Sequence, residues 1–244
     1  MFLRLPSSFA RFSFPLVFLI IAATLSHPSV SSANCPVPEI RANGEFFKSD
    51  AVFVGTVLSI RETPDTDNSV GGWFYRMKVE EMFRGRLRKE ITVYTENSSN
   101  RFPLEKAQKY LLFAYKQHGR LEIDGCGHSA LLSEAADALT RLKNLRAGKQ
   151  PSEIEGWIAE ETAGIDVSGV VVTVKSQSKS YTAVTDKDGW FHFPAPPGRY
   201  KLDLSSKEYY LNSGDDFWYK PGGFLLHAGE CASLQAVSIR HLNK

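Results

Sequence analysis

The sequence lacks the short patterns that usually announce a reactive centre. No His-Glu-x-x-His stretch occurs anywhere in the 244 residues, which removes a zinc hydrolase built on one helix. No Gly-x-Ser-x-Gly occurs either, so the strained turn that exposes a serine nucleophile is missing. Cysteine is scarce: Cys35, Cys126 and Cys231 are the only three, none in a Cys-x-x-Cys pair, and the common structural zinc spacings are excluded with them. Excess charge of one sign is lacking, with a formal net charge of only +2. Neither an internal repeat nor a low-complexity tract is visible.

Long apolar runs are absent except near the start. Arg4 and Arg11 precede an uncharged run from Phe12 to Leu25, and Ser31-Ser32-Ala33 supplies the small residues a signal peptidase reads. The run is shorter than the ~20 residues a membrane-spanning helix needs, so residues 1–33 are expected to be a cleaved signal peptide. Asn34 stands where a lipoprotein signal wants a small residue before Cys35, which argues against lipidation. Tyr110 to Tyr115 and Gly169 to Val174 are strand-length, and no membrane contact is expected after cleavage. Loss of Arg4 and Arg11 cancels the positive excess, leaving a mature formal charge of zero and no case for a nucleic-acid partner. The expected location is secreted or periplasmic, where thiols oxidise. Three cysteines there leave one unpaired or joined to another chain.

What remains is rich in strand signals. Ala51 to Ile60 is dense in β-branched residues, Tyr75 to Glu80 alternates apolar with polar, and Ile91 to Tyr94 follows a break at Arg84-Gly85. Lys109 to Tyr115 predicts a strand buried on both faces. Pro64 to Asn68 with Gly71-Gly72 predicts a long polar connection. Ser133 predicts an N-cap for a helix whose Ala135, Ala138, Leu139, Leu142 and Leu145 share one face, ending at Ala147-Gly148. Residues 149–152 form a linker, after which the mildly basic first half gives way to a mildly acidic second half. Short strands at 154–159, 170–175, 180–185, 190–193, 200–204 and 234–239 have the spacing of a β-sandwich. Asp186-Lys187-Asp188-Gly189 and Pro196-Pro197-Gly198 predict turns between them.

Two resemblances sharpen this outline. Asp50-Ala51-Val52-Phe53-Val54-Gly55-Thr56-Val57, Val79 to Gly85, Tyr110-Leu111-Leu112-Phe113 and Cys126-Gly127-His128-Ser129 give the first part a likeness to the netrin-like module of the tissue inhibitor of metalloproteinases type, closest to its short bacterial versions, over about residues 35–147. The resemblance implies an OB-type five-stranded barrel with a carboxy-terminal helix, and a bridge between Cys35 and Cys126. In that family the inhibitors chelate a protease's zinc with a first-position cysteine, usually in a Cys-x-Cys start. Here the start is Asn34-Cys35-Pro36-Val37, a departure at the chelating group itself. Glu155-Gly156-Trp157-Ile158, Gly169 to Val174, Thr185-Asp186-Lys187-Asp188-Gly189-Trp190-Phe191-His192-Phe193 and Pro197-Gly198-Arg199-Tyr200 make the second part resemble the carboxypeptidase regulatory-like family, a transthyretin-like sandwich. The expected layout is therefore a barrel over 34–148, the linker, and a sandwich over 153–244.

Candidate chemistry is thin. Asp186-x-Asp188-Gly189 starts like a calcium loop, but Trp190 and Phe191 follow at once, and a turn is the better reading. Gly125-Cys126-Gly127-His128 places a thiol near an imidazole, and the implied bridge consumes that thiol. Tyr209, Tyr210, Phe217, Trp218 and Tyr219 crowd a stretch with Asn212, Asp215 and Asp216, the composition of a sugar-stacking or protein-docking surface. The plainer alternative, which we favour, is that most of these rings fill the sandwich core or brace a loop. Cys231 reads as a buried thiol or an intermolecular bridge, the former being favoured, and Asn97-Ser98-Ser99 is a glycosylation sequon wherever the source glycosylates. The expectation is a non-catalytic exported protein that recognises an extracellular protein or carbohydrate, with no metal and no cofactor. The alternative is a metalloprotease inhibitor acting through the amino-terminal edge of the barrel.

Overall fold

The computed structural model describes residues 41–65, 71–160, 167–204, 209–211 and 223–241. The expected leader, Cys35, and Phe217, Trp218 and Tyr219 lie outside the described residues. In chain order the first elements are helix α1 (Ala42–Lys48) and strands β1 (Ala51–Thr63), β2 (Gly72–Arg84), β3 (Glu90–Glu96), β4 (Lys109–Gln117), β5 (Arg120–Glu122) and β6 (Ala130–Leu131), followed by helix α2 (Ala136–Arg146).

These strands form a ring. Their order is β1-β2-β3-β5-β4, and β4 returns to pair with β1, with Val52 opposite Phe113. The β3–β5 pairing is parallel and the others are antiparallel. This is the OB-type order, in which closure leaves few free edges. Six strands are present in the sheet rather than the expected five, because two-residue β6 adds to β4.

The buried character of β4 follows from the two-residue period of a strand. Tyr110, Leu112 and Ala114 point into the ring with Phe53, Met77 and Val93, whereas Leu111 and Phe113 meet Val52, Val54 and Leu142 beneath α2. A strand covered on both faces reads apolar at every position. Each of the buried leucine and phenylalanine side chains contributes ~1.5–3 kcal/mol by leaving water.

Helix α2 begins later than expected. Glu134 N donates to Leu131 O and Ala135 N to Leu132 O, so Ser133 is held in a turn, and the N-cap is Ala135 with no side-chain cap. Its apolar stripe is as expected, with Ala138 and Leu142 buried and Leu139 packed against the same cluster. At the other end Lys149 N donates to Asn144 O and Gly148 N to Leu145 O, with Gly148 at φ +66°. That pair of bonds is a Schellman stop, which needs a residue tolerant of the left-handed region.

The second half contains β7 (Glu153–Glu160), β8 (Val171–Lys175), β9 (Ser180–Val184), β10 (Trp190–Pro194), β11 (Gly198–Leu204), β12 (Tyr209–Leu211), β13 (Phe224–Leu226) and β14 (Cys231–His241). They make two four-stranded sheets, β10-β7-β14-β12 and β13-β11-β8-β9. Ile154, Ile158, Phe191 and Leu234 from the first sheet share one core with Val172, Val174, Tyr200 and Leu202 from the second, which makes the pair a sandwich. All six expected strands are present. The three-residue strands β12 and β13 were not expected, being too short to carry a periodic signal.

Ser32–Lys244 forms one compact unit, and α1, which the sequence pattern does not announce, lies where barrel and sandwich meet. Asn43 Nδ2 donates to Gly229 O at 3.0 Å, and Arg41 reaches Glu153 at 2.5 Å and Glu155 at 3.0 Å. Phe47 stacks on His227 with centroids 4.8 Å apart. A Cβ on Gly44 would lie 2.3 Å from Cys231 O, so only glycine permits this approach. A seven-residue helix is marginal by itself, and these tertiary contacts are what hold it.

Candidate binding site

The polar residues of the barrel converge at the ends of β3, β4 and β5. Glu45, on α1, is 1% exposed, yet its carboxylate is fully engaged. Tyr115 OH, on β4, donates to Oε1 at 2.7 Å. The backbone N–H of His128 donates to Oε2 at 2.7 Å, and His128 Nδ1 lies 2.9 Å from the same oxygen. An ionised carboxylate only accepts, so this contact places the proton on Nδ1. Two segments far from α1 in sequence, at Tyr115 and His128, are thereby fastened to one buried group on it. Charge-assisted bonds of this kind are roughly twice as strong as neutral ones.

The loop after β5 is pinned in the same way. Ile123 N donates to Tyr94 O, Gly125 N to Asn100 O, and Cys126 N to Asp124 Oδ1 at 2.8 Å. Gly127 packs so closely on Glu45 that an added Cβ would sit 2.1 Å from Oε1. Burial pushes the Asp124 carboxyl above its ordinary range; the Cys126 N–H opposes that shift and the negative Glu45 adds to it. Burial, then the charge of Glu45, pushes the Tyr115 phenol far up, so Tyr115 stays a donor at any physiological pH.

Tyr115 and Asp124 also line a cleft of ≈ 180 Å³. Ser98, Asn100 and Gln117 offer hydroxyl and amide groups to it, and Glu96 and Glu122 add carboxylates. Glu122 is partly neutralised by Arg120, 2.8 Å away. The lining therefore offers directional hydrogen-bonding groups to a ligand, and Glu45 holds one of the lining residues, Tyr115, in place.

The sequence-derived site residues fall elsewhere or only partly here. Cys126 is disulfide-bonded and adjoins the Glu45 cluster, so its thiol is not available to His128 as a nucleophile. Cys231 is a free, buried thiol, pushed well up by burial and then by the nearby Glu155 carboxylate. Tyr209 and Tyr210 lie on β12, paired with His241 and Arg240 of β14. Phe224, further along the chain on β13, packs against the sandwich core. Asp186 Oδ1 accepts the N–H groups of Asp188 and Trp190, and Gly189 has φ +82°, which makes this segment the expected turn. Among the described residues no group of three or more His, Cys, Asp or Glu is arranged to hold a metal ion. Glu45, Tyr115, Asn100, Gln117 and Asp124 carry no sequence pattern, because only the ring brings them together.

No family model matches the chain, and no curated protein matches it. Among solved structures 27 chains match. One of them, the Bacillus anthracis TIE protein, is 9% identical and superposes with a TM-score of 0.29 over 79% of this chain and 35% of its own length. The present chain thus spans about a third of that protein.

Proposed function

We propose that this chain is an exported, non-catalytic binding protein in which a netrin-like barrel and a carboxypeptidase regulatory-like sandwich are used as scaffolds for recognising an extracellular protein or carbohydrate. The observation that carries the reading is the polar cleft lined by Tyr115, a residue held by the buried Glu45, and by hydroxyl, amide and carboxylate groups able to orient a ligand. Small-molecule and glycan sites use such convergent donors and acceptors for specificity, although an apolar platform commonly supplements them. Tyr115 is the aromatic ring at this cleft.

The signal-peptide reading of residues 1–33 supports export, and the proposal includes a bridge between Cys126 and Cys35. Glycan arrays and pull-downs from extracellular fractions, run with the mature chain and with an Asn100→Ala/Gln117→Ala variant, test it. Binding that the double variant loses supports the reading. A hydrolytic activity abolished by one point substitution counts against it.

The inhibitor reading retains one specific support: Cys126 is disulfide-bonded while Cys231 is free, as expected if the amino-terminal cysteine is tied to the barrel. A metalloprotease panel assayed with protein of sequenced amino terminus decides it. A fully active panel ends that alternative.

A further inference from the structure

Strand β9 is an open edge of the sandwich. It borders β8 on one side, and among the described residues no strand pairs with its other side. The register with β8 runs from Lys175 opposite Ser180 to Val171 opposite Val184. Two bonds fix which groups point outward: Ser176 N donates to Lys179 O, and Thr185 N donates to Val170 O. Bonded pairs recur every second residue in an antiparallel ladder, so residues 179, 181, 183 and 185 address β8. The N–H and C=O groups of Ser180, Thr182 and Val184 therefore face away from the sheet. All three residues are exposed, Val184 at 59%.

Among the described residues this edge lacks the protections that sandwiches ordinarily give their borders. Ser180-Tyr181-Thr182-Ala183-Val184 contains no charge, no proline and no bulge. It also suits antiparallel pairing with itself. A two-fold axis at Thr182 sets Thr182 opposite Thr182 and Ser180 opposite Val184 of the second copy, and every outward N–H and C=O then finds a partner. The same axis sets Lys179 of each copy opposite Thr185 of the other, one residue from its Asp186, so each end of the seam brings a basic and an acidic residue near each other. Val171, 38% exposed, lies next to Val184 on β8 and extends the exposed apolar surface from the edge strand into the sheet.

We infer that β9 is a homodimer seam: two copies of this chain join edge to edge through residues 180–184 into one continuous sheet. The interface is isologous, so it closes at two copies and does not propagate. A dimer also carries two barrel clefts, which raises avidity for any repeated ligand without a new contact.

Analytical ultracentrifugation of the mature chain from ~1 to ~300 µM covers the range in which a small interface associates. A concentration-dependent dimer is expected, unchanged by reductant. Thr182→Lys and Thr182→Glu each place like charges across the axis and are expected to remain monomeric at every concentration, while an equimolar mixture of the two recovers the dimer. Thr182 is exposed, so both variants are expected to keep the wild-type circular dichroism spectrum. A wild-type chain that stays monomeric to the top of the range overturns the inference. So does a dimer that survives both substitutions, or one that disappears on reduction.

Discussion

Tyr115→Phe is the cleanest test of the Glu45 clamp, because it deletes one hydroxyl and leaves the ring in place. In the wild type that hydroxyl donates to a carboxylate that is 1% exposed, at 2.7 Å. Hydrogen bonds to charged groups contribute ~1.5–3 kcal/mol each. Glu45 keeps both contacts to His128 in the variant, so the upper end of that range is not reached, and a loss of about 2 kcal/mol at pH 7 is expected. The pH dependence supplies a second reading. Burial and Glu45 raise the Tyr115 pKa above that of an unfolded tyrosine, near ~10, so the folded state holds its proton where the unfolded state has lost it. The stability linked to this proton is complete below pH ~10 and falls above it, by at most ~1.4 kcal/mol per pH unit. Guanidinium unfolding followed at pH 7 and at several values above 10 measures both effects. The clamp is refuted if the variant stays within about 0.5 kcal/mol of wild type at pH 7 and weakens with alkali just as steeply.

Three further outcomes follow from the same contacts. Gly44→Ala gains up to ~1 kcal/mol by helix propensity alone, but the added methyl would sit 2.3 Å from Cys231 O; a net loss of ~2 kcal/mol or more is expected by calorimetry, and a stabilised variant would show that α1 does not pack as described. Asp124 has its folded pKa raised above the unfolded value, so its stabilising contribution is present at acid pH and lost as the pH rises through the folded pKa. Asp124→Asn keeps an acceptor for Cys126 N–H, and it is expected to match wild type at pH ~3 and to exceed it by up to ~1 kcal/mol at pH 7; equal stability at both values contradicts the assignment. Non-reducing peptide mapping is expected to return Cys35 joined to Cys126 with Cys231 free, and Cys126→Ser to cost up to ~4–5 kcal/mol on the loop-closure estimate. A Cys231-containing bridge would overturn the pairing.

Strand content was legible in the sequence because it depends on local pattern. β4 announces itself by five consecutive buried residues, β7 to β11 by short β-rich runs between Gly, Pro, Asp and Ser, and the α2 stop by Gly148. These signals act within a few residues and survive any tertiary arrangement. The start of α2 was misplaced because a turn through 131–135 captures Ser133 before it can cap, a competition that composition does not decide.

What the tertiary structure alone decided is the company each residue keeps. Nothing near Glu45 in the chain marks it as the centre of a cluster, since its partners Tyr115 and His128 lie 70 and 83 positions away and arrive only when the ring closes. Helix α1 is likewise a product of contact with Gly229 and Cys231 rather than of its own seven residues. Local preference is a property of the chain; a buried carboxylate with three donors is a property of the fold, because burying such a charge is tolerable only where the fold supplies its partners.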